Sequence, residues 1–460
     1  MKMGTTVAMT GLVAELTASL GDLVVTDGDI MIGYTRDQSL LSPAGRPTVV
    51  VRARSVDHVV TTLRIAHRYR VPVVTRGAGT GLAGGANAID GCIVLSTEQM
   101  NRIIEIDGRA RTATVECGVV NGDLASAAAE RGLWYVPDPG SRAMSTIGGN
   151  LATNAGGPCC AKYGVTGDHA ARIKAVLADG RIIHTGAETR KNVAGYNLTQ
   201  LLVGSEGTLA VIVEATMRLR TRGPQTATVV ASFGASDQAV DAVLSVRAVA
   251  DPSLCEFMDH TTLSAVNAMT RMGLDETAAA LLMIQCDGES AAAEAERCAQ
   301  ECRAAAATEV YMSADATESA ALMQARSLAL PALERRGSTL LDDLAVPVPR
   351  LHEMLDAIRG IAERHHLTIG TFGHAADGNL HPTIVFDAAD PVAVERASLA
   401  FEEMIQDCLA LGGSITGEHG VGDLKRPYLE SMVGPVQAEL MSQLKAVFDP
   451  AGILNPGRAF

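Results

Sequence analysis

No C-x-x-C pair occurs in this chain of 460 residues, and its nine cysteines are odd in number and scattered. A disulfide framework, an iron–sulfur site and a zinc ribbon are all disfavoured, and a reducing cytoplasm is the natural home for such thiols. Cys298 and Cys302, four apart in an Ala/Glu-rich helix, read as packing residues. No window approaches the roughly 18 uninterrupted apolar residues of a membrane span. Met1–Leu20 is broken by Glu15 and followed by no A-x-A site, so it reads as an amphipathic helix rather than a leader. Positive charge is scarce too: a net charge of −14 argues against nucleic acid or an anionic membrane as partner, while saying little about a small substrate. Internal repeats and low-complexity tracts are missing as well.

What the chain has in plenty is glycine, 45 residues, gathered into a few runs. The first, Arg76-Gly77-Ala78-Gly79-Thr80-Gly81-Leu82-Ala83-Gly84-Gly85, follows a short strand, Val71–Thr75. It contains a literal G-x-G-x-x-G, but a dinucleotide-binding Rossmann motif should open a helix. Here a turn (Asn87–Gly91) and another strand (Cys92–Ser96) follow. The run is better read as a nest of backbone N–H groups for an anion. Upstream, strand Thr48–Val51 leads into a helix, Ser55–Tyr69, with Ser55 as its N-cap. After Pro137-Asp138-Pro139-Gly140-Ser141, a second glycine- and amide-rich stretch runs from Thr146 to Gly157, nearly uncharged and suited to lying flat against an extended polar ligand. Gly204-Ser205-Glu206-Gly207-Thr208 is a third.

Beyond a boundary at Thr221-Arg222-Gly223-Pro224, strands and helices alternate, which predicts an α+β domain built on a mostly antiparallel sheet. Its chemistry gathers around Gly373-His374-Ala375-Ala376-Asp377-Gly378-Asn379-Leu380-His381. Asp-Gly between apolar runs predicts a two-residue hairpin turn. That register sets His374 directly opposite His381, on one face, with Cβ atoms roughly 5 Å apart. Two imidazoles so placed can share one metal ion, unless they are simply stacked in solvent. Gly417-Glu418-His419-Gly420 adds a carboxylate, provided the glycines bend the backbone enough to aim it at the same place. Two histidines and one carboxylate with open positions are the pattern of a catalytic metal.

These runs, in this order, resemble the flavoproteins that include bacterial glycolate oxidase, D-lactate dehydrogenase and D-2-hydroxyglutarate dehydrogenase. The matching motifs are Arg76–Gly85, Pro137–Asn154, Gly204–Thr208, Gly373–Pro382, Gly417–Gly420 and the tail Asn455-Pro456-Gly457. The resemblance implies an α+β chain with a two-subdomain FAD-binding domain of vanillyl-alcohol-oxidase (p-cresol methylhydroxylase) type over residues 1–220, split near 108. A cap domain would span 221–426, and 427–460 would return to the first. FAD would be held without a covalent bond by Arg76, Gly77, Ala78, Gly79, Thr80, Gly81, Leu82, Gly84 and Gly85. Pro139, Gly140, Ser141, Thr146, Gly148, Gly149, Asn150, Asn154, Gly156, Glu206, Gly207 and Asn455 would complete its site. A divalent Zn, Mn or Fe would take His374, His381 and Glu418. His419 would be the base, and Arg326 would hold the substrate carboxylate with His374, His381 and His419 beside it.

The implied reaction is oxidation of a D-2-hydroxy acid to the 2-oxo acid, with hydride passing to FAD and electrons onward to an external quinone, cytochrome or electron-transfer flavoprotein. The hydroxyglutarate enzyme carries a lysine where Leu340-Leu341-Asp342 stands here, which favours a shorter or more apolar acid. Three alternatives stay open: that dicarboxylate enzyme, an ether-lipid synthase (alkylglycerone-phosphate-synthase-like) that uses FAD without net redox, and a flavin-free metal hydrolase. Peripheral membrane attachment, a homodimer and a need for additional protein partners are also left open.

Overall fold

A computed structural model describes residues 2–221 and 225–459, so most of the expected boundary run, residues 222–224, lies outside the described residues. The chain divides into two units: Met1–Ala155, Val165–Thr221 and Glu418–Phe460 form one, and Gly156–Gly164 and Arg222–Gly417 the other. The expected domain limits were 220/221 and 426/427. The chain instead lends nine residues of its first half to the second unit and returns at Glu418.

In the first unit, Val49–Arg52, Ile93–Ser96 and Val73–Arg76 pair in parallel, with Val24–Val25 antiparallel at the edge. Their nearly continuous apolar sequences suit parallel strands, which are covered on both faces. Helix Val56–Tyr69 is capped by the Ser55 hydroxyl, which accepts from the His58 N–H at 3.4 Å. Leu12, Leu16 and Leu20, at helical spacing, share its core with Val59 and Leu63. No helix opens from the Gly77–Gly85 run. Among the described residues, a five-stranded antiparallel sheet follows: Ile103–Asp107, Thr112–Glu116, Val211–Arg218, Ala170–Val176 and Ile182–Gly186, in that order. The stretch expected to lie flat contains a short helix instead, Ile147–Thr153, because Thr146 caps it by accepting from the Gly149 N–H. The tail closes the unit: Leu454 bridges Val73, and the Asn455 N–H donates to the Val73 carbonyl at 2.8 Å.

The second unit is built on an eight-stranded antiparallel sheet among the described residues. Its path runs Glu309–Ser313, Thr226–Phe233, Ala280–Asp287, Leu254–Asp259, Thr368–His374, Asn379–Phe386 and Ser338–Leu341, with Leu344–Ala345 also on Asn379–Phe386. Long helices such as Ser236–Val249, Ala291–Ala304 and Leu351–His365 alternate with these strands. Cys298 and Cys302 are fully buried, as packing residues should be. Among the described residues no helix is long and apolar enough to cross a membrane.

Candidate functional site

The histidine hairpin forms with a different register from the expected one. Thr368–His374 pairs with Asn379–Phe386 so that His374 faces Asn379 and Phe372 faces His381. The loop is four residues long, Ala375 to Gly378, and of the Asp-Gly pair only Gly378 takes a positive φ, 82°. Neighbouring strands decide this. The Ala375 N–H donates to the Cys255 carbonyl at 2.8 Å, and the Val346 N–H to the Gly378 carbonyl at 3.0 Å, so the loop is pinned from both sides. A slip of two residues keeps the parity of the strand, however, and both histidines stay on one face as diagonal neighbours. Their ring centroids are 5.2 Å apart at 85°. A ligand nitrogen of one lies within 4.8 Å of a ligand nitrogen of the other. Both side chains are buried, which sets aside the stacked, solvent-facing alternative.

Two carboxylates stand behind the rings. Glu256 Oε1 is 2.7 Å from His374 Nδ1, and Asp343 Oδ1 is 3.7 Å from His381 Nδ1. Asp343 also accepts from Asn379 Nδ2 at 2.8 Å and from Thr416 Oγ1 at 2.7 Å. Burial pushes the Glu256 carboxyl up, but His374 and Arg326 outweigh it, so its pKa falls below the ordinary value. Arg326 is no solvated surface residue: its Nε lies 2.6 Å from Glu256 Oε2, and its guanidinium sits 4.7 Å above the Phe372 ring. Neither Glu256 nor Asp343 stands out from the sequence motifs. The signal available was an acid flanked on both sides by apolar residues within the strand Leu254–Asp259, and an acid pair, Asp342-Asp343, between leucines. Charges in core strands are rarely buried without a partner.

Glu418 and His419 belong to the first unit. Thr416, two residues before Glu418, is the residue bonded to Asp343. Within the first unit, the first two glycine-rich runs come together, since a Cβ on Gly77 would overlap the Thr146 hydroxyl. Arg76 is buried and donates through Nη1 to the Arg36 carbonyl at 2.8 Å. Asn154 accepts from the Gly167 N–H at 2.8 Å. Glu206 accepts from the N–H groups of Val421 and Gly422 at 2.7 and 2.8 Å, and burial raises its pKa to about 7 against these two bonds. Asn455 Nδ2 donates to the carbonyls of Gly85 and Glu206 at 2.9 and 2.7 Å. Glu206 and Asn455 therefore tie loops together. Gly156 falls in the second unit, whereas the other expected FAD residues fall in the first. Thr75 Oγ1, Ser145 Oγ and Asn150 Nδ2 are buried without a hydrogen-bond partner among the described residues. Orphaned polar atoms along both runs fit an extended polar ligand such as FAD.

Residues 47–186 match a family described as FAD binding domain, and residues 223–459 match FAD linked oxidases, C-terminal domain. The chain is 42% identical over 420 residues to glycolate oxidase subunit GlcD of Bacillus subtilis, covering 90% of this chain and 89% of that one. It is 36% identical to D-lactate dehydrogenase of Archaeoglobus fulgidus, covering 91% and 93%. Among solved structures, p-cresol methylhydroxylase with substrate bound superposes with a TM-score of 0.81 at 18% identity, covering 98% and 96%, which establishes the fold.

Proposed function

Because this chain belongs to the family of FAD-linked oxidases, we propose that it oxidises a small D-2-hydroxy acid to the corresponding 2-oxo acid. The flavin-free hydrolase alternative falls with that membership. The observation that carries the reading is the set in the second unit, buried His374 and His381 with the partly buried Arg326, backed by Glu256. Imidazole nitrogens within 4.8 Å of each other, each facing a carboxylate through Nδ1, are a donor set that fits a divalent cation such as Zn, Mn or Fe. Glu418 would be the third ligand. Relatives named for glycolate and D-lactate support a short 2-hydroxy acid. So do Leu340 and Leu341, which offer a second carboxylate no cation.

FAD, when bound, supplies the hydride acceptor, and a divalent cation supplies positive charge for the hydroxyl and carboxylate oxygens. The rest falls to the chain. Arg326 is paired by charge with Glu256, its Nε 2.6 Å from Oε2, and its terminal nitrogens carry the donors for a bidentate grip on the substrate carboxylate. That grip orients Cα–H. His419 takes the hydroxyl proton, a task suited to imidazole, whose ordinary pKa is about 6.5. Anaerobic bleaching of the flavin by a panel of D- and L-2-hydroxy acids tests the reading. Bleaching by short D-acids is expected, and no bleaching by any member would overturn it. Chelator should abolish bleaching while the yellow flavin stays bound. Full turnover in metal-free protein would remove the cation from the scheme.

A further inference from the structure

Glu256 is the one charge inside the apolar part of strand Leu254–Asp259, and its side chain is wholly buried. Each of its oxygens has its own partner: Oε1 meets His374 Nδ1 at 2.7 Å, and Oε2 meets Arg326 Nε at 2.6 Å. Further contacts close a circuit through the same residues. His374 stands edge-on to His381 at 5.2 Å, His381 lies 5.6 Å from the Phe372 ring, and Phe372 lies 4.7 Å beneath Arg326. We propose that Glu256 is a positioning residue that locks His374 and Arg326 to each other, so that the cation-binding imidazole and the carboxylate-binding guanidinium move as one piece. The inference rests on the roles assigned to those two residues above.

The chemistry follows from the contacts. An Nδ1–H donated to Glu256 places the imidazole lone pair on Nε2 and fixes the ring's orientation, as an outer-shell carboxylate does for a metal-bound histidine. The same carboxylate balances the Arg326 charge, which would otherwise oppose a cation bound at the neighbouring histidines. With the guanidinium drawn to Glu256 by charge at 2.6 Å and its face resting on Phe372, the plane in which Arg326 meets a carboxylate is set before substrate arrives. A charge this deeply buried is costly unless paired, and Glu256 spends that cost on two groups that the reaction would use.

The test uses full-length, FAD-loaded protein, stripped with chelator and titrated with Zn²⁺ alone. In Glu256→Gln, Zn²⁺ affinity is expected to fall about 10–100-fold. KM for D-lactate should rise about tenfold, with flavin absorbance near that of the parent and a lower melting temperature from the stranded Arg326 charge. In Arg326→Met, KM rises but Zn²⁺ affinity is kept. A far-downfield ring N–H proton resonance is expected in the metal-free parent and should vanish in both Glu256→Gln and His374→Gln. That resonance reads the Glu256–His374 bond whether or not a metal binds. A parent that shows it but takes up no Zn²⁺ would therefore refute the metal reading and leave the positioning role standing. If Glu256→Gln fails to fold, the paired Glu256→Gln/Arg326→Met variant removes the stranded charge and should fold with weak Zn²⁺ binding. A folded Glu256→Gln with parental Zn²⁺ affinity and KM, or a parent without the resonance, would overturn the proposal.

Discussion

In the first unit the polar groups along the glycine runs bond to backbone: a threonine cap, asparagines on carbonyls, and the buried Arg76 and Glu206, each tied to main-chain groups rather than to an opposite charge. In the second unit the polar work is done by buried ionisable groups that neutralise one another, with Glu256 between His374 and Arg326 and Asp343 beside His381. The first arrangement suits a long ligand bound along its whole length, where many weak donors add up. The second suits a small anionic ligand and a cation, where few charges must be held at fixed positions. Damage should therefore take different forms: loss of shape in one unit, loss of charge in the other.

The largest effect is expected for His419→Asn, which should slow flavin reduction by about 10²–10⁴-fold in stopped-flow mixing while FAD content is unchanged. Near-normal reduction would rule it out as the base. Next comes Gly77→Val. Its side chain overlaps Thr146 and should cost about 1–3 kcal/mol in urea unfolding. It should also release FAD, the reverse of what a charge substitution in the second unit does. Asp343→Asn should weaken Zn²⁺ binding less than Glu256→Gln does, because Asp343 stands 3.7 Å from its imidazole rather than 2.7 Å. Competition titration orders the two. A reversed order would show that the rings are held from the other side.

The remaining contrast is a pH dependence. Glu206 is raised by burial from the ordinary 4.5 to about 7. Between those values the folded protein holds more protons at this carboxyl than the unfolded chain does. Its contribution to stability is present in full below pH 4.5 and is lost as pH rises through 7. Melting temperatures of Glu206→Gln should lack that slope. An unchanged slope would assign it to another group.

Much of the architecture was legible because it follows short-range rules. The Ser55 cap, the strand after the glycine run and the antiparallel second unit are set by periodicity and local chemistry. The histidine pair was legible for a subtler reason. Strand parity survives a two-residue slip, so the shared face was right while the pairing was not. The helix at Ile147–Thr153 was missed because glycines at its start mask a pattern that a capping threonine rescues.

What the sequence determined by itself, then, is the order of elements, the face on which the two histidines lie and the glycine-lined runs, since each depends on residues a few positions apart. Tertiary structure alone decided which carboxylate orients each imidazole and what Arg326 holds. Those partners are far apart in the chain, Glu256 being 118 residues from His374. A buried acid can be recognised as costly from its apolar neighbours, but which groups compensate it is settled only when the strands pack.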